Sequence, residues 1–107
     1  MTTEPQRRGR SKLRFECLNA FVDRGIAEAE LTPSGIAIWL VLYRHARPDG
    51  TTEATVETIG TSTGLCRRTI LRGLRELKGA GMLKTIRRGG IGRGASKYVM
   101  RPYPPSK

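Results

Sequence analysis

Arginines recur through one segment of the chain, residues 64–83, which reads GLCRRTILRGLRELKGAGML. If this segment is helical, with successive residues about 100° apart, its apolar side chains fall in one narrow sector of the helix. Three of its arginines then lie on the opposite side. Two of these, Arg68 and Arg72, are four residues apart, and their repulsion costs an isolated helix about 0.2–0.5 kcal/mol. We therefore expect an anionic partner outside the helix to offset the repulsion.

The net charge of the chain is concentrated in its C-terminal half. The 107 residues carry a formal net charge of +11. Residues 1–57 contain eight basic and eight acidic residues, whereas residues 58–107 contain twelve basic residues and a single acid, Glu76. A neutral half beside a strongly cationic half indicates a scaffold that presents a surface for a polyanion.

The length and hydropathy of the chain fit a small protein that is neither secreted nor embedded in a membrane. With 107 residues, of which 37% are hydrophobic, the chain can form one small domain. Its longest apolar run, residues 36–43, has eight residues, far fewer than the ~20 that span a bilayer. No signal peptide is evident at the N-terminus. We expect a cytoplasmic, nucleoid-associated protein without a membrane partner.

Residues that carry catalysis or bind metals are few. Two cysteines, Cys17 and Cys66, and one histidine, His45, form neither a disulfide framework nor a zinc-ligand pattern. No carboxylate pair and no nucleophile beside a base are evident. The glycine-rich segment at residues 89–95 precedes a predicted strand rather than a helix, which argues against a nucleotide-binding loop. We expect no enzyme activity, no cofactor and no metal ion.

The pattern of apolar residues and turn signals predicts a mainly α-helical domain with a small β-hairpin, an α+β fold, between two tails. Residues 1–12 form a basic and flexible N-terminal arm, residues 13–101 the domain, and residues 102–107 a proline-rich tail. The predicted helices cover residues 13–26, 33–46, 56–63 and 66–79. The predicted strands cover residues 51–55, 82–88 and 96–101.

Several local signals place the helix ends and the core. Thr32 with Pro33, and later Thr55, are typical helix starts, and Gly64 suits the left-handed turn between the last two helices. The helix at 33–46 is apolar on nearly all sides, so it should be the most buried element. A broader apolar stripe on the helix at 13–26 contains Leu13, Cys17, Leu18, Phe21 and Val22. Four aromatic residues are expected to be structural, namely Phe15, Phe21, Trp39 and Tyr43, and two to be exposed, Tyr98 and Tyr103.

The order of the elements, with a glycine turn between two short helices and a basic hairpin after them, resembles a winged helix-turn-helix domain. The resemblance covers residues 13–101 and is most specific from Thr55 to Met100. The chain resembles the DNA-binding domains of phage and plasmid replication initiators and of small bacterial transcription regulators. Such domains place the second helix of the motif in the DNA major groove. The resemblance implies the same for the helix at 66–79, with the hairpin at 84–100 as a wing on the backbone or in the minor groove.

Two positions depart from the pattern of that family. Cys66 stands where a serine or threonine usually caps the recognition helix, and its thiol is a weaker acceptor. Leu71 stands where a polar residue is usual; contact with a thymine methyl group and partial burial in the core are both open for it.

These observations predict a sequence-specific double-stranded DNA-binding protein, either a transcription regulator or a replication factor of a plasmid, phage or other mobile element. The resemblance implies contacts from the recognition helix by Arg67, Arg68, Thr69 and Arg72, to which we add Leu71 and Arg75. Arg68 and Arg72 are expected at base edges, and Arg67 and Arg75 at phosphates. The wing contributes Lys84, Arg87, Arg88, Arg93 and Lys97, and the arm contributes Arg7, Arg8 and Arg10.

Two other functions remain open. Binding of RNA or single-stranded DNA would use exposed aromatic side chains for base stacking, here Tyr98 and Tyr103. A protein-interaction module would use the helix at 13–26 as a surface for a homodimer or another partner.

Overall fold

The computed structural model describes residues 14–89 and 94–105. Within them, four helices and three strands follow one another: α1 (residues 14–28), α2 (Pro33–Arg44), β1 (Thr51–Ala54), α3 (Val56–Thr63), α4 (Arg67–Gly79), β2 (Leu83–Arg87) and β3 (Ser96–Met100). The α+β fold predicted from the sequence is confirmed, and the arrangement is compatible with a winged helix-turn-helix. No helix in the described part of the chain combines the length and the apolar character needed to cross a membrane.

Helix α1 differs from its prediction in length and in orientation. It continues past residue 26 to Glu28 and contains a π-helical turn, Phe21–Gly25. Phe21 is fully buried and stacks on Trp39 with 3.8 Å between ring centroids. Phe15 and Val22 are seven residues apart and share the outer face, with 65% and 57% of their surface exposed. The expectation that Phe15 and Val22 belong to the core was therefore wrong.

Helix α2 is the centre of the core, as predicted. Ile38, Trp39 and Leu42 have no exposed surface, and the indole N–H of Trp39 donates to the backbone oxygen of Arg101 at 3.0 Å. The helix starts as expected, because the hydroxyl of Thr32 accepts from the backbone N–H of Gly35 at 3.1 Å. It ends at Arg44, two residues before the predicted end.

The three strands form an antiparallel sheet with β3 between β1 and β2. Residues directly opposite each other on neighbouring strands point to the same face of a sheet. Tyr98 is opposite Thr52 and Thr85, and this inner face packs on the helices. Lys97 is opposite Glu53 and Arg87, which form the outer face. Two cations of the hairpin, Arg87 and Lys97, therefore lie on the outer face, away from the helices.

Candidate nucleic-acid interface

The turn between α3 and α4 fixes the angle at which the second helix leaves the first. Gly64 adopts the left-handed conformation, with φ of 77°, and its N–H donates to the backbone oxygen of Gly60 at 2.8 Å. The hydroxyl of Thr63 then accepts from the N–H of Leu65 at 3.1 Å. The turn predicted at Gly64 is confirmed.

The inner side of α4 is buried against α2, which leaves the other side free for a partner. Ile70, Leu74 and Leu77 belong to the core. At Gly73 the two helices approach so closely that a Cβ atom would clash with Ile38 Cδ1. The exposed residues on the remaining surface of α4 are Arg67, Arg68, Leu71, Arg72, Arg75, Lys78 and Gly79. Leu71 is 39% exposed among them, so it is available to a ligand rather than enclosed.

The single acid of α4 points away from this cationic surface. Glu76 accepts hydrogen bonds from the backbone N–H and the hydroxyl of Thr32, at 2.8 and 2.7 Å. It thus holds the N-terminus of α2, where the helix dipole favours a negative charge. Because this carboxylate is engaged on the α2 side, it does not neutralise the arginines on the exposed side of α4.

The N-terminus of α4 carries an exposed thiol. Cys66 occupies the N-cap position, and no side-chain hydrogen bond caps the helix. Its Sγ lies 3.3 Å from Thr69 Oγ1. This hydrogen bond to the Thr69 hydroxyl is the main reason that the pKa of Cys66 lies below its ordinary value. Thr69, predicted to contact DNA, is half-buried and engaged with this thiol.

A cleft of about 600 Å³ separates α4 from the inner face of the sheet. Four cations line it, Arg67, Arg75 and Lys78 from α4 and Arg88 from the end of β2. Arg67 also lies 3.7 Å from the carboxylate of Glu57, in an exposed ion pair. The structure thus brings four predicted site residues together, Arg67, Leu71, Arg75 and Arg88, and adds Lys78, which was not among the predicted contacts.

The predicted contacts on the hairpin do not share one surface. A β-bulge between Thr85 and Arg87 places Arg87 on the outer face, opposite Lys97, and leaves Arg88 lining the cleft. Lys84 is opposite Val99, which also belongs to the outer face. Arg87 lies 3.5 Å from the carboxylate of Glu53, which also accepts from Arg47. Arg88 therefore lies on the α4 side, while Lys84, Arg87 and Lys97 lie on the other side of the sheet.

Four predicted contacts, Arg7, Arg8, Arg10 and Arg93, lie outside the described residues, and their part in binding stays a prediction. Among the residues that the structure describes, no three His, Cys, Asp or Glu side chains converge on a point where a metal ion could bind.

The two tyrosines expected to serve as stacking platforms for bases are in contact with other side chains of the protein. Tyr98 is only 5% exposed, so its predicted exposure was wrong, and Lys78 Nζ lies 5.6 Å from the centre of its ring. Tyr103 is half-buried, with the Arg24 guanidinium 3.8 Å from its ring centre. Base stacking on these two rings, the basis for the RNA or single-strand alternative, has no support in this geometry.

A family model described as a helix-turn-helix domain matches residues 29–83, from the end of α1 to the first residue of β2. The matched segment contains α3, the Gly64 turn and the whole of α4. No curated protein and no solved structure matches the chain.

Proposed function

The chain belongs to the helix-turn-helix domain family, and from this premise we propose that it is a sequence-specific binder of double-stranded DNA. Family membership supports DNA binding. The observation that carries the more specific proposal is the exposed side of α4, where cations follow one another while the only acid of the helix is bound to Thr32. A surface of this kind is suited to a groove between two phosphate backbones.

Within this proposal α4 enters the major groove. Arg68 and Arg72 lie in its first two turns and are exposed, as direct readout requires. An arginine can donate two hydrogen bonds to the major-groove edge of guanine, and such a pair discriminates by about 1–3 kcal/mol. Leu71 offers an apolar contact for a thymine methyl group. Arg67 and Arg75 flank this strip and are assigned to phosphates.

The hairpin extends the contact as a wing. Arg88 lines the cleft beside α4 and is the described residue of the hairpin best placed to contact the same duplex. Lys84, Arg87 and Lys97 lie on the outer face of the sheet, so we assign them no contact with this duplex. The basic arm and Arg93 are predicted to add contacts in the minor groove, where A·T-rich sequence narrows the groove and strengthens the negative potential.

The biological role that we propose is regulation of transcription or assembly of a replication complex on a plasmid, phage or other mobile element. The two roles use the same DNA-binding chemistry and differ in where the sites lie. Mapping the bound sites across the host genome and its mobile elements separates them, because a regulator occupies promoters and an initiator occupies clustered repeats near an origin.

In vitro selection from a pool of random duplexes tests the proposal itself. We expect a short motif to be enriched, and the same motif to be bound less well as a single strand. Selection that enriches no motif, with equal affinity for single-stranded and duplex DNA, would contradict sequence-specific duplex binding.

A further inference from the structure

Arg75, Lys78 and Arg88 are three of the four cations that line the cleft between α4 and the inner face of the sheet. Arg75 and Lys78 are three residues apart on α4, a spacing that places them on the same side of the helix. Arg88 lines the cleft from the end of β2. The volume of about 600 Å³ leaves room for an anionic group between them.

Lys78 lies close enough to Arg88 and Arg75 for their positive charges to act on its ammonium group. Burial lowers the pKa of Lys78, and the positive charges of Arg88 and Arg75 lower it further. In residues 14–89 and 94–105, no carboxylate forms an ion pair with any of the three. The acid that lines the cleft, Glu57, is paired with Arg67. An anion that enters the cleft would therefore relieve repulsion as well as gain attraction.

The floor of the cleft strengthens such an interaction. It includes Leu74 and Tyr98, each only 5% exposed. The ammonium group of Lys78 lies over the Tyr98 ring at 5.6 Å, within the range of a cation–π contact that orients the side chain. Charges beside an apolar floor interact more strongly than charges surrounded by water.

We propose that Arg75, Lys78 and Arg88 together bind one phosphate of the DNA backbone. The inference rests on the proposed function, because the phosphate belongs to the duplex that α4 reads. Charge-assisted hydrogen bonds from a helix and a hairpin to the same phosphate fix the orientation of both elements on the strand. The contact itself carries no sequence information, so it positions Arg68 and Arg72 rather than replacing them.

The site is tested by measuring how the affinity for the selected duplex depends on salt concentration. The wild-type protein is compared with Lys78→Met, Arg88→Met and the double variant. Lys84 lies on the outer face of the sheet, so Lys84→Met is the matched control. We expect each single cleft variant to bind about tenfold more weakly. The slope of log K against log salt should fall by no more than about 0.9 in the double variant, since one phosphate is lost and not two. Lys84→Met should keep the slope of the wild type.

Several outcomes overturn the site. If the wild-type protein binds the duplex and the cleft variants bind it as tightly as Lys84→Met does, there is no shared phosphate contact. The proposed function would still stand. A double variant whose slope falls by about 1.8 would indicate two separate phosphates. Wild-type protein that binds no duplex would overturn both the site and the proposed function.

Nuclear magnetic resonance of the unmodified protein keeps the test independent of variant folding. The side-chain ammonium signal of Lys78 should shift when the duplex is added, and that of Lys84 should not. Inorganic phosphate alone should shift the Lys78 signal only weakly. If inorganic phosphate shifted the Lys78 signal until it reached a plateau, and the duplex did not shift it, the cleft would be a site for a free anion. That result would overturn the proposal.

Discussion

Glu76, in the last turn of α4, is bound to Thr32 at the start of α2 by two hydrogen bonds of 2.8 and 2.7 Å. The two residues are 44 positions apart in the sequence. One contact thus joins the helix of the proposed interface to the central helix of the core, and it removes the only negative charge of α4 from the exposed side. It also gives this acid a structural role that can be measured.

Replacing Glu76 with Gln should lower the free energy of unfolding by about 1 kcal/mol, because the charge at the N-terminus of α2 and one strong acceptor are lost. Urea denaturation measures the change. Glu57→Gln is the matched control, since its carboxylate is 79% exposed and its ion pair with Arg67 should contribute little. Equal stability of the two variants would contradict the structural role of Glu76.

Replacing Arg68 or Arg72 with Ala should weaken binding to the selected duplex by about 1–3 kcal/mol and relax the base preference at one or two positions. Titration of selected and scrambled duplexes with each variant measures both effects. Arg44→Ala, at the exposed end of α2 near Phe15, controls for the loss of one positive charge. Losses of equal size on both duplexes would assign these arginines to phosphates instead of bases.

The thiol of Cys66 should report on both its own ionisation and the bound duplex. The pKa of Cys66 is lowered mainly by the Thr69 hydroxyl. More thiolate is therefore present at neutral pH than in the unfolded chain. Alkylation is faster as a result, because the thiolate is the nucleophile. In a Cys17→Ser background, the pH of half-maximal alkylation rate should lie below that in urea. Thr69→Val should move it upward.

Bound duplex should slow the same alkylation, because Cys66 immediately precedes Arg67 and Arg68. A rate that stays constant at saturating duplex would place the DNA elsewhere on the protein.

Two glycines provide a matched pair for the geometry of the turn. A Cβ added at either Gly64 or Gly79 would meet no other part of the protein within 4 Å apart from the adjacent backbone, but only Gly64 has a positive φ. Gly64→Ala should therefore destabilise the protein by about 1 kcal/mol through backbone strain alone. Gly79→Ala, at the end of α4, should stabilise it by about 0.4–1 kcal/mol. Thermal denaturation of both variants measures the difference, and a neutral Gly64→Ala would contradict the left-handed turn.

Features fixed by local periodicity could be predicted from the sequence. The buried side of α4 follows from the spacing of Ile70, Leu74 and Leu77, and the turn at Gly64 follows from the chemistry of glycine. On α1 the same reasoning failed for Val22, and the separate expectation that Phe15 is a structural aromatic residue was also wrong. The stripe there was broad, and the helix contains a π-helical turn at Phe21–Gly25 that departs from the 3.6-residue repeat.

Features that depend on partners distant in sequence could not be predicted. Strand register and the bulge after Thr85 decide whether Tyr98 is buried and which of Arg87 and Arg88 faces α4. A one-residue change in register moves a side chain to the other face of a sheet. Lys78 became part of the candidate site only when the fold placed Arg88 across the cleft from it.

The proposed function requires that the exposed side of α4 binds duplex DNA. Titration of the ¹⁵N-labelled protein with the selected duplex, followed by backbone and arginine side-chain signals, locates the bound surface residue by residue. We predict that the largest shifts occur at Arg68, Leu71 and Arg72, with smaller ones at Arg88 and none at Phe15 or Val22. Shifts concentrated on α1 or on the outer face of the sheet, with α4 unaffected, would contradict it.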